Sequence, residues 1–413
     1  MESERGVPDI VLPTIKQEIP YMLYVGIDVA KDKHDCCFVD NMGEIVVKNL
    51  RIKNSLEGFM RLIQRIDNFA SDRSEVEIGL EDTGHYSDNL VNYFSHIFTV
   101  KTINPILTAK RKKAEFLRKT KTDKIDSVEI AKMLRYGTGF RPVISIPYDS
   151  EELKSLSRYR TTLVMKRSKE KTSVKRLVNI LFPEYEQLFK NVHLRTSYTA
   201  LLAYPGNQYF ATCRTPALTQ VLRSASKGYY GEDMAVRLRE LAKKSIGKIS
   251  DAKSYELRQT IKRINSLTSE INEIEAKMHD ILAASNPPIS TIPGLGEILV
   301  AAIIGEIGDF SKFNSPDKIL AIAGMSPTTY QSGYYTSSRR KMEKRGSRDL
   351  RRALYLAAIE VCKNVPEFNQ YLVKKQREGK HYYVALSHAA KKLIRLMYAL
   401  ETQHRAYEPN LTR

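Results

Sequence analysis

The stretch from Tyr24 to Asp40, YVGIDVAKDKHDCCFVD, constrains the fold more than any other part of the sequence. An apolar run carries Asp28, and after a polar turn a second β-type run extends over 36–39, so the pattern predicts a β-hairpin with a carboxylate on its first strand. An ionised carboxylate in a buried strand is costly unless it is paired or holds a cation. Asp28 therefore predicts a partner elsewhere in the chain, whereas Asp32 and Asp35 are expected to be solvated turn residues.

Three further acids are candidates for the partners of Asp28. Glu81 follows a short apolar run in GLEDTG, and Asp123 and Asp126 lie three residues apart in KTDKIDSVEIAKML. A spacing of three places two side chains on the same face of a helix. Four carboxylates that converge on one point would form the kind of oxygen-ligand cage that binds Mg²⁺ together with substrate phosphates. The alternative is that Asp28 or Glu81 caps a turn or pairs with a lysine.

The charge balance indicates a polyanionic partner. The 413 residues include 66 Lys and Arg against 47 Asp and Glu, a formal net charge of +19, so nucleic acid is the first candidate. No membrane partner is expected, because no apolar run approaches the roughly 20 residues that span a bilayer. Four cysteines without zinc or disulfide spacing favour a cytoplasmic protein. Residues 1–20 are expected to form a mobile extension.

The order of elements over residues 21–148 is typical of an RNase H-like α/β domain. After the hairpin come a third strand in EIVVKNLRI, a helix that Ser55 can cap, and a strand from Val76 to Leu80. A helix over about 86–97 then leads to a fifth strand, TVKTIN. Three strands followed by alternating helix and strand predict this α/β class, with the catalytic acids in this domain.

Two basic segments are predicted to contact a phosphate backbone. One is 109–124, beside the candidate acids Asp123 and Asp126, and its alternative is a solvated helix face. The other is a long amphipathic helix over 149–182, whose charge favours a nucleic-acid partner over a plain solvated face. The candidate contacts in these segments are Lys110, Arg111, Lys112, Lys113, Arg167, Lys171 and Arg176.

Residues 149–285 are predicted to form a helical and coiled-coil region. The part over 183–250 is mostly helical with a break at Tyr204-Pro205-Gly206. Apolar residues then recur at the three- and four-residue spacing of a coiled coil, and Asn286-Pro287-Pro288 ends that helix. Self-association through the apolar stripe is favoured, and an intramolecular helix pair would show the same stripe. The stripe consists of Leu257, Ile261, Ile264, Leu267, Ile271, Ile274, Met278 and Ile281.

A mostly helical C-terminal domain is expected over 286–407. Gly294 and Gly296, in PGLG, predict a helix-hairpin-helix turn that lets backbone N–H groups approach a DNA phosphate, the alternative being a turn required for steric reasons. Farther on, ten hydroxyl side chains over 326–338 precede a basic run over 339–352. A hydroxyl nucleophile beside cations suits phosphoryl transfer, although a generic phosphate-binding loop would look similar. Arg339, Arg340 and Arg345 are the predicted phosphate contacts.

Taken together, six segments of the chain resemble the DEDD-type insertion-sequence transposases. Members of this family have a RuvC-like N-terminal domain, a coiled-coil insert and a C-terminal transposase domain that carries a serine. The matching segments cover most of residues 22–360 and are YVGIDVAKDKHD, GLEDTGHY, INPILTAKRKKAEFLRKTKTDKIDSVEIAKML, TIPGLGEILVAAIIGEIGDFSKF, LAIAGMSPTTYQSG and KRGSRDLRRALYLAA.

The resemblance assigns roles to residues already singled out. It implies a Mg²⁺-dependent RuvC-like centre at Asp28, Glu81, Asp123 and Asp126, and a nucleophilic Ser332 in the QSG motif. Three positions depart from the family pattern: Asp82, which could compete for the metal; Tyr334, where a second glycine is frequent; and Ser347, where an asparagine is common. Tyr330, Tyr334 and Tyr335 are the alternative nucleophiles.

The resemblance also implies the partners. Members of the family are understood to be guided by a structured RNA from the element, which pairs with donor and target DNA, and to exchange strands through a covalent serine–DNA intermediate. The half-sites come from different protomers, which implies a dimer or tetramer. Two other classes of protein are alternatives: a RuvC-like junction-resolving endonuclease without transposition, and an actin-like sugar kinase. The kinase needs a glycine-rich phosphate loop where this chain has Val29-Ala30-Lys31.

Overall fold

The computed structural model describes residues 22–81, 86–105, 107–108, 123–137, 139–142, 148–327, 331–332, 335–336 and 342–409. Of residues 123–125, 141–142, 148, 331–332 and 335–336 it describes the backbone alone. The chain divides into two units, residues 1–145 and 146–413. The expected N-terminal extension, residues 1–20, lies outside the described residues.

The first unit is a mixed sheet with helices on both faces. Its elements are β1 (Leu23–Asp28), β2 (Lys33–Val39), β3 (Ile45–Lys53), α1 (Leu56–Asp67), a 3-10 turn (Arg73–Glu75), β4 (Val76–Glu81), α2 (Asp88–Phe94), β5 (Thr99–Ile103), α3 (Asp123–Arg135) and β6 (Phe140–Pro142). Among the described residues the sheet order is β3-β2-β1-β4-β5-β6. Strand β1 is antiparallel to β2 and parallel to β4, and β4 is parallel to β5. The predicted hairpin and the α/β class are confirmed.

The two faces of β1 have different neighbours, because side chains alternate along a strand. Leu23, Val25 and Ile27 are buried in the core that also holds Phe59 and Leu62 of α1. The alternate positions of β1 lie on the side of α3, which packs against β1, β2 and β4. Helix α1 begins as predicted, since the Ser55 side chain accepts a hydrogen bond from the backbone N–H of Gly58.

The described part of the second unit is helical apart from one short hairpin and an isolated bridge. The elements are α4 (Tyr148–Leu181), α5 (Tyr185–Leu188), α6 (Arg195–Ala203), α7 (Asn207–Thr212), α8 (Thr215–Ala225), α9 (Glu232–Lys243), α10 (Asp251–Ser285), a 3-10 turn (Pro288–Thr291), α11 (Glu297–Ile307), a 3-10 turn (Phe310–Lys312), α12 (Pro316–Ile322), β7 (Gln331–Ser332), β8 (Tyr335–Thr336), α13 (Arg348–Asn364), α14 (Pro366–Arg377) and α15 (Tyr382–Thr402).

The apolar stripe of α10 is buried inside its own chain. Ile261, Ile271 and Met278 are each at most 2% exposed, and α10 packs along α4. The structure shows the intramolecular helix pair that the same stripe also predicts. Self-association through this stripe is therefore not supported, because its apolar surface already has a partner.

The long helices α4 and α10 contribute to both cores of the second unit. One core holds Val174 and Leu177 of α4 with Leu257 and Ile261 of α10. The other holds Leu153 and Leu163 of α4 with the far end of α10 and helices from α11 to α15. In the part of the chain that the structure describes, no helix is long and apolar enough to cross a membrane.

Candidate active site and nucleic-acid contacts

Asp28 and Glu81 are the last residues of two neighbouring parallel strands. Ile27 of β1 stands opposite Leu80 of β4, so the next residue of each strand carries one of the two acids. Both acids are half-buried. The parallel pairing therefore brings together two carboxylates that lie 53 positions apart in the sequence.

Helix α3 is seated on two glycines of these strands. A Cβ on Gly26 would lie 2.3 Å from the backbone oxygen of Ser127 and 2.3 Å from the backbone nitrogen of Ala131. A Cβ on the neighbouring Gly79 would lie 3.0 Å from Cδ2 of Leu134. Alternate residues of a strand share a face. Asp28 therefore lies on the same face as Gly26, and Glu81 on the same face as Gly79, which is the face covered by α3.

Asp126 reaches the same face from the helix. It immediately precedes Ser127, the residue that contacts Gly26, and it is 7% exposed. Asp123 is the first residue of α3, one turn earlier, and its side chain lies outside the described residues. The structure thus places Asp28, Glu81 and Asp126 on one face of the sheet, near the carboxyl ends of two strands.

The candidate carboxylates have the chemistry of a divalent-cation site, but the described ones do not converge closely enough to bind one ion. Among the described side chains, which do not include that of Asp123, no group of three or more acids, histidines or cysteines is close enough to hold an ion. All the candidate ligands are carboxylates, which hard divalent cations prefer. Their chemistry fits such an ion.

Asp35 was placed wrongly by the sequence argument. It lies within β2, 4% exposed, opposite Asp28 in the antiparallel register. Arg51 of β3 holds it with two hydrogen bonds, Nε to Oδ1 at 2.9 Å and Nη2 to Oδ2 at 3.1 Å. Directly opposed residues share a face, so an ion pair stands beside the three acids. The alternation of Asp35, Cys37 and Val39 along the strand was the signal that could have found it.

Ser332 lies in a short hairpin whose ends are held together. In the backbone pairing Ser332 stands opposite Tyr335, and farther out Pro327 forms a bridge with Met342. Beyond the bridge, the N–H of Lys344 donates to the carbonyl of Gly324 at 3.0 Å. The side chains of Ser332 and Tyr335 lie outside the described residues, as do Tyr330, Tyr334 and Asp82.

Arg351 of α13 ties the two ends of this hairpin together, a role that the sequence argument missed. Its Nη1 donates to the carbonyl of Ala323 at 2.9 Å and to that of Lys344 at 3.3 Å. The two ends of the segment can come this close only because residue 346 is glycine: a Cβ there would lie 2.2 Å from the backbone oxygen of Ile322. One guanidinium thus fixes the points at which the serine segment leaves and rejoins the helical core.

Glu306 anchors the start of α13. The Ser347 hydroxyl donates to Glu306 at 2.6 Å and accepts from the N–H of Leu350 at 3.1 Å, capping the helix. Arg158 of α4 also binds Glu306, with Nη2 at 3.0 Å from Oε2. Burial alone would raise the pKa of Glu306, but the hydrogen bonds from Arg158 and Ser347 outweigh it and hold the pKa below its usual range.

Some of the basic side chains of α4 are paired with acids of the protein itself, where the sequence predicts nucleic acid as the counter-charge. Arg176 is bound by Glu256 at 2.7 Å, and Arg160 by Glu275 at 2.6 Å. Arg167 instead donates to the Thr268 hydroxyl at 3.3 Å. The helix α4 therefore carries its charge without needing a nucleic acid at every position, contrary to the sequence argument.

Arg167 and Lys171 open onto a cleft of about 500 Å³ that Arg195 also lines. No ion pair joins any of these three cations to an acid within the described chain, and no acid lines the cleft. The pKa of His193, at the same cleft, is lowered by burial and by the positive charges of Lys171 and Lys175. Arg167 and Lys171 are the two predicted nucleic-acid contacts that line this cleft.

The remaining predicted contacts divide into three groups. Gly294 has φ +85° and a Cβ there would lie 2.5 Å from Nδ2 of Asn364, which favours the steric alternative; the element before it is a 3-10 turn rather than an α-helix. Gly296 is the N-cap of α11, with nothing within 4 Å of an added Cβ, and Arg345 is exposed. Those outside the described residues are Lys110, Arg111, Lys112, Lys113, Arg339 and Arg340.

Two family models match the chain. A DEDD-type model described as "Transposase" covers residues 25–183, and a model described as "Transposase IS116/IS110/IS902 family" covers residues 286–373. The first range contains the four acids, and the second contains the serine hairpin.

Proteins similar over nearly the whole chain carry related names. The pilin gene-inverting protein of Moraxella bovis is 25% identical over 390 residues, 94% of this chain and 98% of its own. The 42 kDa protein of insertion element IS900 from Mycobacterium paratuberculosis is 23% identical over 394 residues, 94% and 98% of the two chains. The 44.8 kDa protein of insertion element IS116 from Streptomyces clavuligerus is 24% identical over 397 residues, 94% and 96%.

The acids at the strand ends, the helical second unit and these matches define an enzyme of the transposase class, which cleaves and exchanges DNA strands. The sugar-kinase alternative receives no support. The chain belongs to the IS110/IS116 family of transposases.

Proposed function

We propose that this transposase cleaves and rejoins DNA through a serine–DNA ester, with Mg²⁺ held by carboxylates of the first unit. The observation that carries the proposal is the seating of α3 on Gly26, which brings Asp126 to the face that bears Asp28 and Glu81. The match to a DEDD-type family supports divalent-metal dependence in general. The ligands in this proposal are Asp28, Glu81, Asp123 and Asp126.

We further propose that the first unit is RNase H-like, of the RuvC type. The strands β1, β2 and β3 form an antiparallel meander at one edge of the sheet. On the other side β1 is parallel to β4 and β4 is parallel to β5, and this topology supports the assignment. In that arrangement the carboxyl ends of the central parallel strands carry the acids, and a helix that follows supplies the others. The C-terminal turn at Gly296 remains a proposed helix-hairpin-helix contact with DNA.

In the proposed mechanism the carboxylates position the scissile phosphate and Ser332 attacks it. When bound, the cation polarises the phosphate and offsets the charge of the transition state. The Ser332 Oγ–P bond forms as the P–O bond to the neighbouring nucleotide breaks; the serine proton passes to solvent and the released oxygen takes up a proton. A hydroxyl of another strand then attacks the serine ester in reverse, which joins the strands and frees Ser332.

The partners in this proposal are donor and target DNA, and a structured RNA from the element that pairs with both. Arg167, Lys171 and Arg176 of α4 are proposed backbone contacts, together with Arg345 and the basic residues at 110–113 and 339–340. The two half-sites come from different protomers of a dimer or tetramer. Sequencing of nucleic acid that co-purifies with the protein tests the RNA: the expected result is one element-encoded, structured species, and random cellular RNA would contradict it.

The metal assignment is tested by Asp28→Asn, with Asp32→Asn as its control. Asp32 is exposed and follows the strand, so its loss should leave strand cleavage near the wild-type rate. On a plasmid that carries the gene with its native flanks, Asp28→Asn should lower cleavage by at least about 10²-fold while DNA binding persists. Cleavage at a normal rate in Asp28→Asn would refute the proposed ligand set.

The nucleophile is tested by Ser332→Ala on the same plasmid. The wild-type protein should give a protein–DNA adduct on denaturing gels, and the variant should give none. An adduct that persists would move the nucleophile to one of the tyrosines at 330, 334 and 335. Junction cleavage that survives the substitution would favour a junction-resolving endonuclease over the serine mechanism.

A further inference from the structure

One face of α15 carries a row of basic side chains. His388, Lys391, Lys392 and Arg395 recur at three- and four-residue spacing, and together with Tyr371 of α14 they line a cavity of about 380 Å³. Residues at such spacing share one face of a helix. The opposite face of α15 is fully buried in the C-terminal core, so this basic face points away from that core.

The basic side chains crowd one another. The pKa of Lys391 is lowered by burial and by the charge of Arg395, with Asp317 acting in the opposite direction. The pKa of His388 is lowered by burial and by Lys391, Lys375 and Lys380, with Glu378 acting in the opposite direction. Burial is the largest cause of both shifts, and the neighbouring cations add to it in the same direction.

Few acids of the described chain face this row. Glu378 is already bound by Lys375 at 2.9 Å and by Lys380 at 2.8 Å. Asp317 lies 3.7 Å from Arg395, and both of these side chains are more than half exposed, so the pair contributes little. Lysines and arginines therefore outnumber acids around the row, and like charges at helical spacing destabilise a helix.

The lysine at the centre of the row is held in place. The Lys392 ammonium lies 5.3 Å from the ring centroids of both Phe368 and Tyr371, and Lys375 lies 5.4 Å from the Tyr371 ring. Cation–π contacts of this kind fix a side chain that would otherwise sample many rotamers. An anion that binds here meets cations whose positions are already ordered.

We propose that this face of α15 binds the phosphate backbone of duplex DNA. From His388 to Arg395 the row extends for about 10 Å along the helix axis at 1.5 Å per residue. One DNA strand presents a phosphate about every 3.4 Å along the duplex axis, so the row spans about three phosphates, which a small anion would not require. The inference rests on the proposed action on DNA and adds a contact surface to it.

The test uses the full-length protein in EDTA, with the variant Lys391→Gln/Lys392→Gln/Arg395→Gln. The control variant Lys243→Gln/Lys363→Gln/Arg263→Gln removes the same charge from cations that are each paired with an acid. Affinity for a random-sequence DNA duplex and for a hairpin RNA is measured at several salt concentrations. Circular dichroism melting establishes that both variants fold.

The expected result is at least tenfold weaker duplex binding at 0.1 M salt for the α15 variant, and a plot of log K against log salt that is shallower by about 2 to 3. If that variant does not fold, Arg395→Gln alone, an exposed position, should make the slope shallower by about 1. Binding equal to that of the control variant would overturn the proposal, and so would weaker RNA binding with duplex binding unchanged. A wild-type protein that bound no DNA would instead refute the proposed function.

Discussion

The side chain of Asp126 reaches the sheet face because a neighbouring residue has no side chain. Ser127 and Ala131 contact Gly26 through backbone atoms, and backbone atoms cannot rotate away as a flexible side chain can. Gly26 therefore sets the distance between α3 and β1, and with it the position of Asp126 relative to Asp28. Any group at position 26 would push the helix outward and separate the acids.

Gly26→Ala is predicted to be both destabilising and inactive. A Cβ 2.3 Å from two backbone atoms should cost about 1 to 3 kcal/mol of unfolding free energy, measured by urea denaturation, and DNA cleavage should fall with the displacement of Asp126. The control is Gly231→Ala, where nothing lies within 4 Å of the added atom, and it should cost less than about 1 kcal/mol. Full cleavage by Gly26→Ala would show that α3 does not position the acid.

For single residues, the sequence predicts the charges beside apolar strands correctly and the charges near turns wrongly. The positions of Asp28 and Glu81 on strands could be predicted because each acid adjoins an apolar run that forms a buried strand. The apolar run of the second strand begins only at residue 36, which predicts Asp35 in the turn, yet the strand begins at Lys33 and Arg51 of the next strand neutralises Asp35. The partner 16 residues away leaves no local trace.

Two short pieces of chain on either side of the serine hairpin are fixed by α13. Its first turn supplies Arg351 to the carbonyls of Ala323 and Lys344, and its cap Ser347 binds Glu306 of α11. The serine at 347, where the family commonly has asparagine, is thus a helix cap that also donates to a buried carboxylate. The element that carries the proposed nucleophile therefore leaves the core from a rigid base.

Glu306→Gln is predicted to lower the free energy of unfolding by an amount that depends on pH, because it weakens the contacts of Glu306 with Arg158 and Ser347. The Glu306 side chain is 3% exposed while that of Arg158 is 46% exposed, so losing the charge should cost about 1 to 3 kcal/mol at pH 7. Because the folded-state pKa lies below the ordinary 4.5, the stabilisation is present above that pH and is lost as the pH falls through the folded pKa. Unfolding free energies of the two proteins should converge below pH 4.5; a constant difference would exclude the ionised carboxylate as the cause.

The limits of the helices could be predicted from the sequence, but the partners of those helices could not. Ser55 and Asn286-Pro287 mark a beginning and an end that the structure confirms, because caps act within a few residues. The acid that binds Arg176 is Glu256, 80 positions away. No local pattern identifies it, and α4 consequently looked more dependent on nucleic acid than it is.

In the molecule as a whole, the pair of α4 and α10 joins two cores. Leu177 and Leu257 lie in the core of the helical insert, while Leu163 and Ile271 lie in the core that also holds α11 to α15. The stripe predicted to mediate self-association is therefore structural within one chain. The proposed dimer or tetramer would therefore have to form through a different surface.

Ile271→Asp tests whether the apolar stripe of α10 stabilises the fold of one chain or joins two protomers. Ile271 is 2% exposed, so an aspartate there buries an unpaired charge and is expected to cost more than about 3 kcal/mol, seen as loss of helical circular dichroism on mild heating at any protein concentration. Asn272→Asp introduces the same acid at the adjacent exposed position and should melt like the wild type. If the stripe instead joined two protomers, Ile271→Asp would keep its melting midpoint in dilute solution and sediment as a smaller species. Sedimentation velocity together with thermal melting of both variants therefore decides whether α10 stabilises the fold or the oligomer.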